Sequence, residues 1–234
     1  MAYTSRPDLY DRVYAFKDYA AEAAALTRLV RDRSPDARTL LDVACGTGKH
    51  LEHLRAEFDC EGVDLDEGLL TVARARVPDV PLQQADMRDF DLGRTFDVVT
   101  CLFSAIGFVG GPDGLDAAAE ALTRHLAPGG LLLLEPWLTP DAWIPGRPHV
   151  LAHDEPGIAL ARVTLGGVRG ERVSTTEMHY VVATAAGVEY FVELHEPYLF
   201  TDGEMRGAFE RAGLEVEHDP DGLIGRGLWI CRRS

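Results

Sequence analysis

The stretch Leu40-Leu-Asp-Val-Ala-Cys-Gly-Thr-Gly48 decides the fold, because an apolar strand there runs directly into a turn of small residues. Gly46 and Gly48 permit a tight turn and let a ligand approach the backbone closely. Helix signals follow at once, with Leu51 and Leu54 on one face. The first N–H groups of that helix have no partner within it, so they can bind a phosphate or a carboxylate. The stretch therefore predicts the binding site of a nucleotide-like cofactor.

Two classes of cofactor fit a strand, a glycine turn and a helix in this order. A nicotinamide or flavin site needs a third glycine in the pattern Gly-x-Gly-x-x-Gly, and here that position is Leu51. S-adenosylmethionine (SAM) is the other class, and it suits two later aspartates. Asp64 ends the next strand, where its carboxylate can accept hydrogen bonds from both ribose hydroxyls. Asp86 follows a third strand, where it or its neighbours can meet the adenine edge.

A fourth segment, Leu126-Ala-Pro-Gly-Gly130, ends a helix and leads into an apolar strand at 131–134. Together with the glycine turn, Asp64 and Asp86, it resembles the motif order of class I SAM-dependent methyltransferases across roughly residues 38–136. The resemblance implies SAM as the cofactor. In an open parallel sheet, ligands bind beyond the carboxyl ends of the strands, where the strand order reverses.

The alternation of strand and helix signals predicts a doubly wound α/β fold with a seven-stranded, mostly parallel sheet. After a helix at 17–32, we expect strands near 39–44, 60–64, 80–84, 96–101 and 130–135, and helices near 48–57, 66–76 and 113–126. A capping box at Thr201-Asp-Gly-Glu204 predicts a further helix. Two closing strands near 214–218 and 226–232 complete the sheet.

The pattern changes after Pro136, where a loop rich in Pro and Trp is expected to run to about residue 157. Strand signals follow at 158–168, 172–184 and 187–199, separated by glycine turns. These segments predict an inserted antiparallel meander of three strands. We therefore expect a single domain over residues 1–234, with a cap insertion at about 137–199.

Composition and charge exclude several classes of partner. The chain has 234 residues and a net charge of −15, which repels nucleic acids and anionic membranes. It has no apolar stretch long enough to span a bilayer and no apolar segment typical of a signal peptide. Its four cysteines form no Cys-x-x-Cys pair, which favours buried free thiols over disulfides or zinc. We expect a cytoplasmic protein without nucleic-acid, membrane or metal partners.

A narrower resemblance covers nearly the whole chain. Seven segments resemble the TDP-3-amino-sugar N,N-dimethyltransferases of macrolide biosynthesis: residues 17–22, 40–48, 86–90, 100–104, 135–137, 178–181 and 225–228. This resemblance implies a class I fold, SAM as methyl donor, a small secondary metabolite as acceptor, a place in antibiotic biosynthesis and, in many members, a homodimer.

Carried over by position, the resemblance implies that Tyr10 and Tyr19 close over the cofactor, and that Asp86 and Met87 lie at its adenine. The predicted cofactor site comprises Tyr10, Tyr19, Ala44, Gly46, Gly48, Asp64, Leu65, Asp86, Met87 and Leu102.

One position departs from the resembled family, whose members carry a histidine after an Ile-Gly pair, beside the acceptor amine. Here that position is Phe108, which cannot accept a proton. Either the acceptor differs, or another group accepts the proton, or the amine arrives neutral. Transfer of the methyl group is an in-line displacement that depends mostly on positioning, so the departure leaves methyl transfer intact as a prediction.

Four polar residues on two predicted strands are candidates for the acceptor site. Glu177 and His179 share one strand face, and Glu193 and His195 share another, because side chains two apart point the same way. If the strands pair, these groups can form an acceptor-binding wall, with His179 and Glu193 as the candidate catalytic residues. The alternative is a solvated sheet face with cross-strand charge pairs.

Two further residues complete the predicted acceptor site of Phe108, Trp137, His179 and Arg226. Trp137 either forms an apolar wall beside the acceptor or anchors the cap. Arg226 either binds an acidic acceptor, such as a nucleotide diphosphate, or caps a loop. The whole sequence predicts a SAM-dependent methyltransferase that N-methylates a small-molecule amine such as an amino sugar nucleotide. O-methylation of another small metabolite and a non-catalytic SAM-binding module are the alternatives.

Overall fold

The computed structural model describes residues 4–234, which form six α-helices and eleven β-strands within that range. The helices are α1 Pro7–Val13, α2 Tyr19–Arg33, α3 Lys49–Leu54, α4 Glu67–Arg76, α5 Pro112–Arg124 and α6 Asp202–Arg211, with a 3₁₀ helix at Ala105–Val109. The strands are β1 Thr39–Val43, β2 Asp59–Asp64, β3 Leu82–Gln84, β4 Phe96–Cys101, β5 Leu126–Leu134, β6 Pro148–Glu155, β7 Ile158–Arg169, β8 Val173–Thr184, β9 Gly187–His195, β10 Leu214–Asp219 and β11 Leu228–Arg233.

Seven strands form one mostly parallel sheet in the order β10-β11-β5-β4-β1-β2-β3, which confirms the predicted fold class. Strand β1 pairs in parallel with β2 on one side and with β4 on the other. Only β11 runs antiparallel to its neighbours β5 and β10. Because the strand order reverses beside β1, the carboxyl ends of β1 and β4 open a crevice there.

Helices cover both faces of this sheet and bury two separate apolar cores. Against one face, α5 packs Leu115, Ala118 and Leu122, which recur at helical spacing, over strands β4 and β5. Against the other face, α2, α3 and α4 pack, with Leu26 and Leu51 fully buried there. The predicted capping box is confirmed, since Thr201 accepts from the Glu204 N–H while Glu204 accepts from the Thr201 N–H.

The inserted sheet has four strands in the order β6-β7-β8-β9, where the sequence predicts three. The extra strand, Pro148–Glu155, lies in the segment predicted as a loop, and it pairs with β7 over eight residues. Its flanking prolines and its solvent-exposed side chains hide the strand pattern from sequence analysis. Strand β9 ends at His195 rather than at 199, because Pro197 has no N–H to donate to a neighbouring strand.

Helix α1 lies between the inserted sheet and the main sheet, so it connects the two. Leu9 and Val13 pack on the sheet against Met178 and Tyr180, while Asp11 accepts a hydrogen bond from the Thr47 hydroxyl at 2.7 Å. This position carries α1 directly over the glycine turn.

Across the part of the chain that the structure describes, none of the helices combines the length and apolar character needed to cross a membrane. The cysteines Cys45, Cys60, Cys101 and Cys231 are all buried free thiols, as predicted.

Candidate active site

The glycine turn after β1 takes the backbone through the left-handed region at Ala44, Gly46 and Gly48, with φ of 60°, 56° and 74°. A Cβ built on Gly46 would meet no atom within 4 Å, so the space above this residue is open. A Cβ on Gly48 would instead lie 3.3 Å from Cβ of Ala73. Gly46 therefore allows a ligand to approach the turn, whereas Gly48 allows α3 to pack closely on α4.

Asp64, at the carboxyl end of β2, turns its carboxylate toward this turn. Its Oδ2 accepts the Gly46 N–H at 2.7 Å, and its Oδ1 accepts the Asp66 N–H at 2.8 Å. Burial raises the pKa of Asp64 to about 6, although the two backbone hydrogen bonds act in the opposite direction. Each oxygen keeps lone pairs for a further donor, so the carboxylate can bind two hydroxyl groups of a ligand.

A cavity of about 330 Å³ opens in front of Asp64, within the size range of small-molecule sites. It is lined by Tyr10, Val43, Ala44, Gly46, Asp64, Leu65, Leu69, Ala85, Asp86, Met87, Arg88, Leu102, Phe103, Ala105, Phe108, Val109, Leu194, His195 and Glu196. A smaller cavity of about 30 Å³ shares Tyr10, Ala44, Gly46, Leu102 and Phe103 with it. The two cavities together form one cleft along the carboxyl ends of the strands.

The smaller cavity ends in a group of charged side chains behind Tyr19. Its lining includes the polar side chains of Asp42, Lys49 and His50, which suit a ligand bearing both an ammonium and a carboxylate, although burial raises the pKa of Asp42. The His50 ring lies edge-on to the Tyr19 ring, and its Nε2 lies 2.8 Å from Oε2 of Glu22. Burial alone would raise the pKa of Glu22, but its hydrogen bonds with His50 and Lys17 lower that pKa.

Asp86 and Met87 line the opposite end of the large cavity, among apolar side chains that include Leu65 and Leu69. The Asp86 carboxylate accepts hydrogen bonds from the backbone N–H and the guanidinium of Arg88, which lower its pKa. This end of the cavity therefore offers an apolar slot with a polar rim, which suits the flat face and the polar edge of a nucleobase.

The loop after β4 forms the wall between the cofactor end and the outer end of the cleft. Phe103 and Ser104 adopt left-handed φ values of 52° and 66°, which are strained for residues with a Cβ. The buried Glu135 holds this backbone by accepting the Phe103 N–H at 2.6 Å, and Ser104 donates to the Pro136 carbonyl at 2.8 Å. The strain places the Phe103 ring in the lining of both cavities.

The outer end of the large cavity carries the rings of Phe108 and His195. Phe108 comes from the 3₁₀ helix, and His195 is the last residue of β9. The lining at this end also includes Glu196, the next residue in the chain. Sequence analysis placed His195 in the possible acceptor wall of four polar residues but not among the candidate catalytic residues.

The predicted wall of four polar residues is wrong, because strand register separates the two pairs. Glu177 and His179 oppose Leu194 and Val192, whereas Glu193 opposes Met178 on the other face of the sheet. The lining of the cleft contains His195 but neither of the two candidate catalytic residues, His179 and Glu193.

His179 and Glu193 have other partners. The His179 ring bonds the Tyr190 hydroxyl and the Glu177 carboxylate, each at 2.6 Å, on the solvent face of the sheet. Oε1 of Glu193 accepts hydrogen bonds from the Thr4 hydroxyl and from the N–H and hydroxyl of Ser5. Glu193 therefore anchors the segment that leads into α1.

Trp137 and Arg226 lie behind the Phe103 loop rather than in the lining of the cleft. The Arg226 guanidinium donates to the Ser104 hydroxyl at 3.0 Å and lies 5.2 Å from the Trp137 ring centroid. Trp137 donates its indole N–H to the Ser174 hydroxyl at 2.9 Å. Arg226 therefore packs against the Phe103 loop, and Trp137 joins that loop to the inserted sheet.

Sequence comparison places the chain among methyltransferases. A family model described as a methyltransferase domain matches residues 40–130. The chain is 44% identical over 227 residues, or 95% of each protein, to dTDP-3-amino-3,4,6-trideoxy-alpha-D-glucopyranose N,N-dimethyltransferase of Streptomyces venezuelae. It is 45% identical over 226 residues to dTDP-3-amino-3,6-dideoxy-alpha-D-glucopyranose N,N-dimethyltransferase of Streptomyces fradiae, covering 95% of this chain and 88% of that protein.

Structural comparison also places the chain among methyltransferases. The crystal structure of Streptomyces venezuelae DesVI matches with a TM-score of 0.93 at 42% identity, over 99% of each chain. The SAM-bound structure of CalS10, an amino pentose methyltransferase from Micromonospora echinaspora involved in calicheamicin biosynthesis, matches with a TM-score of 0.89 at 40% identity. The second match covers 100% of this chain and 98% of CalS10.

Proposed function

This chain belongs to the SAM-dependent methyltransferase family that contains the amino-sugar N,N-dimethyltransferases, and on that basis we propose that it methylates the amine of an amino sugar nucleotide. One observation carries the proposal: identity of 44% to such an enzyme extends over 95% of each chain, and so includes the inserted sheet as well as the cofactor domain. Antibiotic biosynthesis is the proposed setting.

Each part of the cleft suits one part of the SAM molecule. Asp64 is placed to bind the two ribose hydroxyls, because each of its oxygens already accepts one backbone N–H and retains a lone pair. The open space above Gly46 admits the ligand against the backbone. Leu65 and Met87 are the proposed apolar slot for adenine, and Asp42 and Lys49 are the proposed polar contacts of the amino acid group.

The other predicted cofactor residues complete this proposed site. Tyr10 and Tyr19 close it, Ala44 and Leu102 line it, Asp86 forms the polar rim, and Gly48 sets the turn. When bound, SAM supplies an electrophilic methyl group on a sulfonium. The residues of the chain supply orientation and exclude water, which is the larger part of the catalysis that an in-line displacement needs.

We propose His195 as the group that accepts the proton of the acceptor amine. An ammonium has no lone pair for attack, so the amine must lose a proton before each methyl transfer. An imidazole titrates near neutral pH and is suited to this exchange. His195 lies at the outer end of the cleft, past Phe103 from the cofactor end, whereas His179 lies on the solvent face of the sheet.

Arg226 is the proposed contact for the diphosphate of the acceptor. Its guanidinium is held by Ser104 and stands over the rings of Phe103 and Trp137, so its position is fixed. A planar guanidinium binds phosphate oxygens in a bidentate manner. Phe108 supplies the apolar surface against which the sugar packs.

The protein is proposed to act in the cytoplasm, where SAM and sugar nucleotides are made. Its net charge of −15 argues against a nucleic-acid partner. We also propose that the working form is a homodimer.

The test is to incubate the purified protein with SAM and a dTDP-linked 3-amino sugar, and to follow the product by mass spectrometry. Two added methyl groups on the amine are expected, and the Asp64→Ala variant is expected to be much less active at a SAM concentration near the native Kd. Methylation of a hydroxyl in place of the amine would support O-methylation. SAM binding without turnover on any amine or hydroxyl acceptor would support a non-catalytic module.

A further inference from the structure

One loop in the wall of the cleft is held from behind by a histidine that lies outside the cleft. This loop joins β3 to β4 across residues 85–95, and we call it the cofactor loop. Its residues Asp86 and Met87 line the large cavity. His125, which follows the last residue of α5, is only 1% exposed and belongs to the lining of neither the large cavity nor the smaller one. Any effect of His125 on a bound cofactor therefore passes through the cofactor loop.

Two hydrogen bonds define the position and the protonation state of the His125 ring. Its Nδ1 lies 2.7 Å from the Ala121 carbonyl oxygen, which can only accept a hydrogen bond, so Nδ1 carries a proton. Its Nε2 accepts the Leu92 N–H at 2.9 Å, so Nε2 carries none. The ring is therefore neutral. Burial favours this state as well, because it lowers the pKa of His125.

The His125 ring also stacks on the ring of Phe90, with 4.1 Å between the centroids and 6° between the ring planes. Phe90 is buried, and its carbonyl accepts a hydrogen bond from the Arg124 guanidinium at 3.2 Å. The Phe90 N–H donates to the Asp86 carbonyl at 3.1 Å. Direct contacts thus lead from His125 through Phe90 to the backbone of Asp86, next to Met87 in the cavity wall.

We propose that His125 is a positioning residue for the adenosine part of SAM, and that it acts through the cofactor loop. The inference rests on the proposed function only in placing the adenine against Asp86 and Met87. If Nε2 were lost, the partly buried Leu92 N–H would have no acceptor, which is costly, and the loop would leave its position for part of the time. The apparent Kd of a ligand rises as the fraction of protein with a formed site falls. His125 therefore raises the affinity for the donor without touching it.

Two substitutions separate the roles of the two ring nitrogens. Both His125→Asn and His125→Gln replace the ring by an amide and remove the stack on Phe90. The shorter Asn side chain places its amide near the position of Nδ1, where it can donate to the Ala121 carbonyl. The longer Gln side chain reaches the position of Nε2, where its oxygen can accept the Leu92 N–H. Each variant is therefore the control for the other.

The test is calorimetric titration with SAM and with 5′-methylthioadenosine, which carries the adenine and the ribose but no amino acid group. His125→Asn is expected to raise both Kd values about 10-fold, as for a site that is formed about one tenth of the time. His125→Gln is expected to keep both Kd values within about threefold of the native ones, because the loop then remains formed. Hydrogen exchange at residues 86–92 is expected to be faster in the Asn variant than in the Gln variant.

Equal Kd values in the two variants would overturn the role of His125, because a structural role in packing would not depend on which nitrogen is replaced. A loss of affinity for SAM that 5′-methylthioadenosine does not share would also overturn it. If a variant does not fold, the native protein still decides. Nitrogen-15 NMR is expected to show the His125 ring with its proton on Nδ1, and a proton on Nε2 would overturn the proposal.

These measurements need no methyl acceptor, so they are independent of the reaction itself. A protein that gives the expected Kd values but transfers no methyl group to the amino sugar nucleotide would overturn the proposed function alone. A protein that methylates the amino sugar nucleotide but binds SAM equally well in both variants would overturn only the role of His125.

Discussion

The phenyl ring of Phe108 packs edge-on against the imidazole of His195, with 5.7 Å between the ring centroids and 87° between the ring planes. The two residues are far apart in sequence, one in the 3₁₀ helix after β4 and the other at the end of β9. The sequence places a phenylalanine where the resembled family has a histidine. The structure nevertheless has an imidazole beside that position, contributed by the inserted sheet.

If His195 accepts the proton of the amine, the His195→Ala variant should lose activity mainly in kcat. We expect a loss of about 10²-fold at neutral pH, in the lower range of general base catalysis. The loss of activity should be smaller at alkaline pH, because the amine is then already neutral and needs no proton acceptor. Steady-state kinetics across pH 6–10 check this, with His179→Ala as the control that keeps native kinetics.

The ring contact suggests a rescue. Because the two rings touch, an imidazole at position 108 would reach the same end of the cleft. Adding Phe108→His to the His195→Ala variant should recover most of the neutral-pH activity. If the double variant is no better than His195→Ala, proton acceptance by His195 is not the reason for the loss.

Asp64 should bind the donor at a cost to the stability of the free protein. The Asp64→Ala variant should weaken SAM binding by tens of fold or more, consistent with about 2–4 kcal/mol for lost charged hydrogen bonds. Calorimetric titration with SAM measures this directly. An unchanged affinity would remove Asp64 from the site.

The pH dependence of stability follows from the same residue. Burial raises the pKa of Asp64 from 3.8 to about 6 in the folded chain. The contribution of this group to stability is therefore complete below about pH 4 and is lost as the pH rises through about 6. The Asp64→Asn variant should accordingly raise the Tm of the SAM-free protein at pH 8, with a gain in the free energy of unfolding below the ~3 kcal/mol that the full shift represents. A lower Tm at that pH would contradict the assignment.

Gly46 and Gly93 provide a matched pair of substitutions. Both residues have positive φ, 56° and 66°, and a Cβ on either would meet no atom of the chain within 4 Å. Gly46→Ala and Gly93→Ala should each cost about 1–2 kcal/mol of stability through backbone strain. Only Gly46→Ala should also lose SAM affinity, because its Cβ enters the cleft. Equal SAM affinities in the two variants would show that the ligand does not approach Gly46.

Arg226 should act on the acceptor and not on the donor. Arg226→Ala should raise KM for the sugar nucleotide about 10-fold or more through the lost charge-assisted hydrogen bonds, and leave SAM affinity unchanged. Arg226→Lys should recover only part of the loss, because an ammonium lacks the bidentate geometry. Inhibition by free dTDP checks the same contact, and it should weaken in parallel. An unchanged KM for the sugar nucleotide in Arg226→Ala would show that Arg226 only holds the loop and does not bind the acceptor.

Glu193 should affect the donor through α1, although it does not line the large cavity or the smaller one. Glu193→Ala removes the acceptor of three hydrogen bonds from Thr4 and Ser5. We expect faster hydrogen exchange in residues 4–13 and a severalfold higher KM for SAM, since Tyr10 lies on α1. Glu177→Ala, on the opposite face of the sheet, is the control. Native exchange in Glu193→Ala would show that other contacts hold α1.

Much of the fold, and the geometry of the glycine turn beside Asp64, was predictable because both depend on local patterns. The glycine turn, the strand that ends at Asp64 and the capping box at Thr201 each involve residues close together in the chain. Their geometry follows from backbone conformation and hydrogen bonds over a few residues. The predicted parallel strands lie within a few residues of their observed bounds for the same reason.

The residues at the outer end of the cleft, which we propose for the acceptor, were not predictable in the same way. Which face of a strand His179, Glu193 and His195 occupy relative to one another depends on strand register, and a shift of one residue exchanges the two faces. The contact of Phe108 with His195 joins segments that approach each other only after the inserted sheet packs on the core. The sequence alone determined the fold class and the cofactor, since these follow from local backbone chemistry. Only the tertiary structure decided which polar side chains face the acceptor, because strand pairing and packing act over long distances along the chain.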